Sequence, residues 1–182
     1  MIYCGIDLTE DDSTESTVAF LSDSVESYSF ETNEELAEKI IESQPNIVAV
    51  NTGLKERRGL SEEEEELQEE GHIFTPASHD TQRVRRFQDL KRRIQAGLAA
   101  EDRPEFIRFD PAISGRELAL DSDRSLESLG VEASGIESSR EFDAVLGAVT
   151  ARFYDQGQAE EMDVVVPTTL KDDSDDESSK SL

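Results

Sequence analysis

The chain has 182 residues, 43 of them acidic against 18 basic, which gives a net charge of −25 and a pI of about 4.2. That length fits one domain with its own core, and the single cysteine, Cys4, excludes an internal disulfide and any cysteine-cluster metal site. No apolar run approaches a membrane span and the N-terminus lacks the basic and apolar regions of a leader, so the expectation is a soluble cytoplasmic protein with no membrane role.

Residues Ile2 to Leu8 alternate. Ile2, Cys4, Ile6 and Leu8 share one side, and Tyr3, Gly5 and Asp7 share the other, which predicts a strand. Thr9 to Ser16 is polar and acidic and suits a hairpin loop. Ser16 to Leu21 and Tyr28 to Phe30 read as the next two strands of an antiparallel meander. Thr32-x-x-Glu35 has the form of a capping box, and Leu36, Ala37, Ile40 and Ile41 form the apolar face of the helix it opens. Pro45 follows the end of that helix.

Asn46 to Val50 is a short run of apolar residues, as in a parallel strand covered on both faces. It ends in the polar loop Asn51-Thr52-Gly53. Ser61-x-x-Glu64 is a second capping box, opening an acidic helix from Glu62 to Glu70 with Gly71 as its stop. Arg83 to Arg93 holds six basic residues. Val84, Phe87, Leu90, Ile94 and Leu98 recur there at spacings of three and four, which predicts an amphipathic helix. Phe106 to Phe109 reads as a strand ended by Asp110-Pro111. Residues 112–137 are weakly patterned, with one short helix around Leu118. Ser138-x-x-Glu141 caps a strong helix with apolar residues Phe142, Val145, Leu146, Val149 and Phe153. Val164 to Val166 reads as a final strand. The domain expected is 1–170, followed by a disordered acidic tail, 171–182.

The charge is not a property of that tail. Residues 171–182 carry −3, and the first 170 carry −22. Only five basic residues are Lys, and 13 are Arg. Acid spread this evenly, with little Lys, looks like a halophilic proteome, in which salt screens the self-repulsion. The spread favours that reading over a specific acidic function such as mimicry of DNA. It also argues against non-specific nucleic-acid binding at low salt.

The element order is that of a ribonuclease-H-like α/β fold: a mixed sheet, with a three-strand antiparallel meander plus parallel strands, flanked by helices. Nucleases of this type gather acids from the first strand, the first parallel strand and the C-terminal helix. Two divalent ions held there stabilise the attacking and leaving oxygens of phosphodiester hydrolysis. At those points the chain has Asp7, Asn51 and Asp143. On a helical wheel Asp143 lies about 80° from the centre of the apolar face, at its edge.

The chain resembles the predicted ribonuclease-H-like nucleases of domain-of-unknown-function family four hundred and twenty-nine over most of residues 1–170. The resemblance rests on the opening GID, on VAVNTGL, and on the acidic helix running into GHIFTPAS. It continues through RVRRFQDLKRRI, FIRFDP, REFDAVLGAVTARFYDQGQAEEM and VVVP. It implies divalent-metal-dependent phosphodiester hydrolysis with Mg²⁺ or Mn²⁺ and nucleic acid as partner. It also implies two departures: Asn51 stands where members carry an acid, and Arg108 where they carry Glu. Of four expected carboxylates, Asp7 and Asp143 remain. Asn offers a metal a carbonyl oxygen without charge. A fixed cation about 5 Å from a divalent ion costs roughly 6–7 kcal/mol at an effective dielectric near 20. The expectation is therefore a degraded site with weak or no catalysis, in which Arg108 pairs with Asp7 or Asp143.

Plainer readings stand beside these. Asp7 also fits a strand-end acid bonded to a loop, Asp143 a first-turn helix acid, and Asn51 a turn residue. Arg108 on an apolar strand reads as a paired structural charge. His72 and His79 read as solvated. The basic helix reads as pairing internally or with surface acid more than with a nucleic-acid backbone. A non-catalytic binding or structural protein that kept the fold is the alternative function. A fully active nuclease would need replacement ligands, for which Asp110 and Asp80 are the candidates.

Overall fold

Strand β1 (Tyr3–Asp7) pairs antiparallel with β2 (Ser16–Leu21), and β2 pairs antiparallel with β3 (Val25–Phe30). The structure, a computed structural model, describes residues 1–132 and 135–169. The meander is therefore present, with β3 starting three residues earlier than its apolar pattern suggested. The expected acidic tail lies outside the described residues.

On its other side β1 pairs in parallel with β4 (Ile47–Val50), and β4 with β5 (Glu105–Arg108), giving the order β3-β2-β1-β4-β5. This is the ribonuclease-H-like mixed sheet. The chain crosses from β3 to β4 through α1 (Asn33–Ser43), and from β4 to β5 through α2 (Glu62–Glu69) and α3 (Thr81–Ala96). Thr32 Oγ1 accepts from the Glu35 amide, and Ser61 and Glu64 complete a reciprocal capping box. Two short helices, α4 (Pro111–Glu117) and α5 (Asp123–Glu127), fill the weakly patterned stretch where one was expected. Then come α6 (Ser139–Asp155) and a separate hairpin of β6 (Ala159–Glu161) and β7 (Val165–Pro167). Strand β6 has the sequence Ala-Glu-Glu, too short and polar to signal a strand. No helix among the described residues is long and apolar enough to cross a membrane.

Strand parity sorts the core into two layers. Odd-numbered Tyr3, Ala49, Ile107 and Phe109 pack under α6, against Val145, Leu146 and Val149. Even-numbered Cys4, Ile6, Val48 and Val50 pack under α1 and α3, against Leu36, Ile40, Phe87 and Leu90. Each fully buried Val, Leu, Ile or Phe among them contributes about 1.5–3 kcal/mol from burial.

Helix α6 lies very close to β1, because the contact is glycine on glycine. A Cβ at Gly5 would overlap the Ala144 carbonyl and the Ala148 amide, and one at Gly147 would meet the Phe109 ring and sit 3.0 Å from Gly5 Cα. This close approach fixes where the first turns of α6 stand relative to the end of β1. That relation positions the site.

Candidate functional site

Asp7 ends β1 on the odd, α6-facing side of the sheet. Asn51 follows β4 on the same side of the alternation. The Asn51 amide nitrogen donates to Asp7 Oδ1 at 2.8 Å and to the Leu8 carbonyl at 3.3 Å. Its Oδ1 accepts from the Leu8 amide at 2.9 Å. Both ends of this side chain are therefore used to tie the ends of two parallel strands together.

Asp143 stands in the second turn of α6, at the edge of the helix face that covers the sheet. With Asp7 it lines a cleft of about 480 Å³, whose other walls are the β1–β2 loop, Arg83, Ser139 and Arg140. It also lines a second cleft of about 730 Å³, together with Phe74, Asp110, Phe142 and Leu146. Asp143 thus forms the wall between a polar cleft and a more apolar one.

The electrostatics follow from this crowding. Burial, then the charges of Asp7 and Asp110, push the Asp143 carboxyl up to about 6, and Arg140 opposes them. Burial also raises Asp7, against the pull of Arg140 and Arg83. Asp110 is raised by burial as well, although its Oδ1 accepts from the Ala112 and Ile113 amides as the N-cap of α4. In all three acids burial outweighs the nearby positive charges, which lower the pKa without cancelling the rise.

The cation beside Asp7 is Arg140, whose Nη1 lies 3.9 Å from Asp7 Oδ2 and donates to the Glu15 carbonyl at 3.4 Å. Sequence reasoning missed it. Two signals were available: Arg140 precedes Asp143 by three residues, the spacing of neighbours on one helix face, and it sits in the first turn of α6, where the helix dipole disfavours a cation.

Arg108 does not enter this site, contrary to the expectation that it pairs with Asp7 or Asp143. It occupies an even position of β5, beside Val50 in the register, and so points to the opposite face of the sheet. There Nη1 lies 3.4 Å from Glu64 Oε2 and 3.5 Å from Asp163 Oδ2, and Nη2 donates to the Thr75 carbonyl at 3.2 Å. Glu64 Oε1 also accepts from the Ser61 amide, and Oε2 from the Ala77 amide. These bonds and Arg108 hold the Glu64 carboxyl below its usual range despite burial. The electrostatic cost assigned to Arg108 at the metal position therefore does not arise.

Of the two replacement ligands considered, Asp80 is turned elsewhere. Its Oδ2 accepts from Thr52 Oγ1 at 2.6 Å and lies 3.4 Å from Arg83 Nη1. Asp110 is near enough to Asp143 to raise its pKa. His72 is not solvated as expected: it is 7% exposed, with Nε2 3.2 Å from Glu117 Oε1. His79 is exposed.

The basic helix pairs internally, as its sequence suggested. Arg86 is buried and donates to the carbonyls of Thr9, Asp11 and Glu31, to Thr9 Oγ1 and to Asn33 Oδ1. Arg85 pairs with Glu56, and Arg92 and Arg93 pair with Asp89.

These residues do not fit a two-ion centre. Asp7 Oδ1 is taken by Asn51, and Asn51 Oδ1 by Leu8. No group of three acidic, histidine or cysteine side chains among the described residues converges closely enough to hold an ion. The buried group in the cleft wall without a hydrogen-bond partner is Arg83 Nε, a donor that no metal can use.

Comparison with known proteins gives the fold and no more. A RuvC structure from Thermus thermophilus matches with a TM-score of 0.52 at 15% identity, over 92% of this chain and 99% of that one. RuvC from T. thermophilus in complex with its Holliday junction substrate matches over the same shares at 15% identity, with a TM-score of 0.47. No family model matches the sequence. No curated protein matches it either.

Proposed function

We propose that this chain is a ribonuclease-H-like domain of nuclease descent whose two-ion carboxylate site has been lost, so that phosphodiester hydrolysis is weak or absent. The observation that carries this reading is the Asn51 side chain. At the point where a second strand-end acid would complete the site, a neutral amide is spent on Asp7 and Leu8. Asp7 and Asp143 alone offer too few oxygens for a pair of hard cations. The resemblance to the predicted nucleases supplies nucleic acid as the partner class and Mg²⁺ or Mn²⁺ as the ancestral ions. The acid spread over the folded body supports a cytoplasmic protein working in high salt, where a polyanionic partner is least repelled.

A second reading is a non-catalytic binding or structural domain. The Arg140–Asp7 contact favours it, because it neutralises a former ligand within the chain.

The test is a nuclease assay in molar KCl with Mn²⁺ on single- and double-stranded DNA and RNA, wild type against Asp7→Asn. The expected result is no cleavage that distinguishes the two proteins. Mn²⁺-dependent cleavage that disappears in Asp7→Asn, together with two Mn²⁺ bound at micromolar affinity, overturns the reading.

A further inference from the structure

Resting on the reading that the two-ion site is lost, we infer that Arg140 is the chain's own replacement for the missing cation: it supplies the positive charge at Asp7 and thereby shuts out divalent ions. Arg140 and Asp143 are one helical turn apart on α6, and Arg140 Nη1 reaches Asp7 Oδ2 at 3.9 Å. The guanidinium thus stands beside Asp7, in the cleft that Asp143 also lines.

Its position on the helix points the same way. A cation in the first turn of a helix faces the positive end of the dipole and is disfavoured there. The Arg140 side chain is 47% exposed. The groups that hold it are Asp7 Oδ2 and the Glu15 carbonyl of the β1–β2 loop. Arg83 adds a second positive charge from α3 to the same cleft. With Asn51 on Oδ1 and Arg140 at Oδ2, both Asp7 oxygens are engaged without a metal.

The consequence is a latent site that two substitutions expose. Arg140→Gln removes the competing charge, and Asn51→Asp restores an acid at the end of β4. Mn²⁺ binding is measured by calorimetry, with the Mn²⁺-dependent rise in Tm alongside, on the full chain in 1 M KCl at pH 7.5. The proteins are wild type, Arg140→Gln, Arg140→Lys, Arg140→Gln/Asn51→Asp and Arg140→Gln/Asp7→Asn. Arg140→Gln should bind Mn²⁺ at least about tenfold more tightly than wild type, which corresponds to about 1.4 kcal/mol. Arg140→Gln/Asn51→Asp should bind more tightly still. Arg140→Lys keeps the charge and should stay at the wild-type level, and Asp7→Asn should erase the gain.

The inference is overturned if Arg140→Gln gains nothing, if Arg140→Lys gains as much as Arg140→Gln, or if the gain survives Asp7→Asn. In each of these results a wild type that neither binds ions nor cleaves leaves the loss of the two-ion site standing. A wild type that binds two Mn²⁺ at micromolar affinity overturns both.

Discussion

Arg108 Nη1 and Glu64 Oε2 meet at 3.4 Å with both side chains shut away from solvent, 4% and 0% exposed. The pair joins the end of β5 to α2 on the face of the sheet away from Asp7. Asp163, at the entry to β7, shares the guanidinium and also lies 3.6 Å from Arg57. Breaking such a pair by removing one partner leaves a buried charge, which costs about 3–5 kcal/mol. Arg108→Met should therefore lower stability by that order in urea titration, and Arg108→Met/Glu64→Gln, which removes the unpaired charge and keeps an amide oxygen for the α2 capping box, should recover part of the loss. If the double variant is no more stable than the single one, the pair is not what Arg108 contributes. Arg108→Glu, which places the resembling family's acid here, should be destabilising and add no Mn²⁺ affinity, because the side chain faces away from the site.

The Asp143 carboxyl holds its proton to about pH 6 in the folded chain, against 3.8 for the free group, mainly because it is buried and secondly because Asp7 and Asp110 are near. Between those values the folded state binds more protons than the unfolded state. Stability from this group is therefore greatest at low pH, declines as pH rises from about 4 to 6, and stays at the lower level above that. Asp143→Asn removes the penalty. It should match wild type near pH 4 and exceed it at pH 7.5 by about 1–3 kcal/mol. Urea titration at both pH values checks this. An equal difference at the two would show that the carboxyl charge is not the source.

Arg86 and its helix neighbours separate structural from surface charge. Arg86 ties the β1–β2 loop to the β3–α1 connection through five hydrogen bonds from a buried guanidinium. Arg85, Arg92 and Arg93 make exposed pairs worth little each. Arg86→Gln should cost about 3 kcal/mol or more. Arg85→Gln, Arg92→Gln and Arg93→Gln should each stay within about 1 kcal/mol of wild type. Fluorescence anisotropy with a labelled oligonucleotide should show no loss specific to the three surface variants. Such a loss, without a stability change, would assign this helix face to nucleic acid.

Periodicity and capping residues were enough to place most of the secondary structure. The alternation from Ile2 to Leu8, the apolar run ending at Val50 and the three-four spacing after Val84 are local patterns, and local patterns survive in the sequence. The side taken by Arg108 was not read from the sequence, which suggested a partner in Asp7 or Asp143; it follows from the register of β5 on β4, where Arg108 lies beside Val50. What the alternation cannot say is which helix covers which side. That was decided by packing: Gly5 against Gly147 lets α6 settle on the odd face, which brings Asp143 and Arg140 to Asp7. The even face received α1 and α3, and Glu64 from α2 met Arg108 there. Pairing between charges is a matter of distance in space, and 43 acids along the chain offered every arginine a choice that only the tertiary structure made.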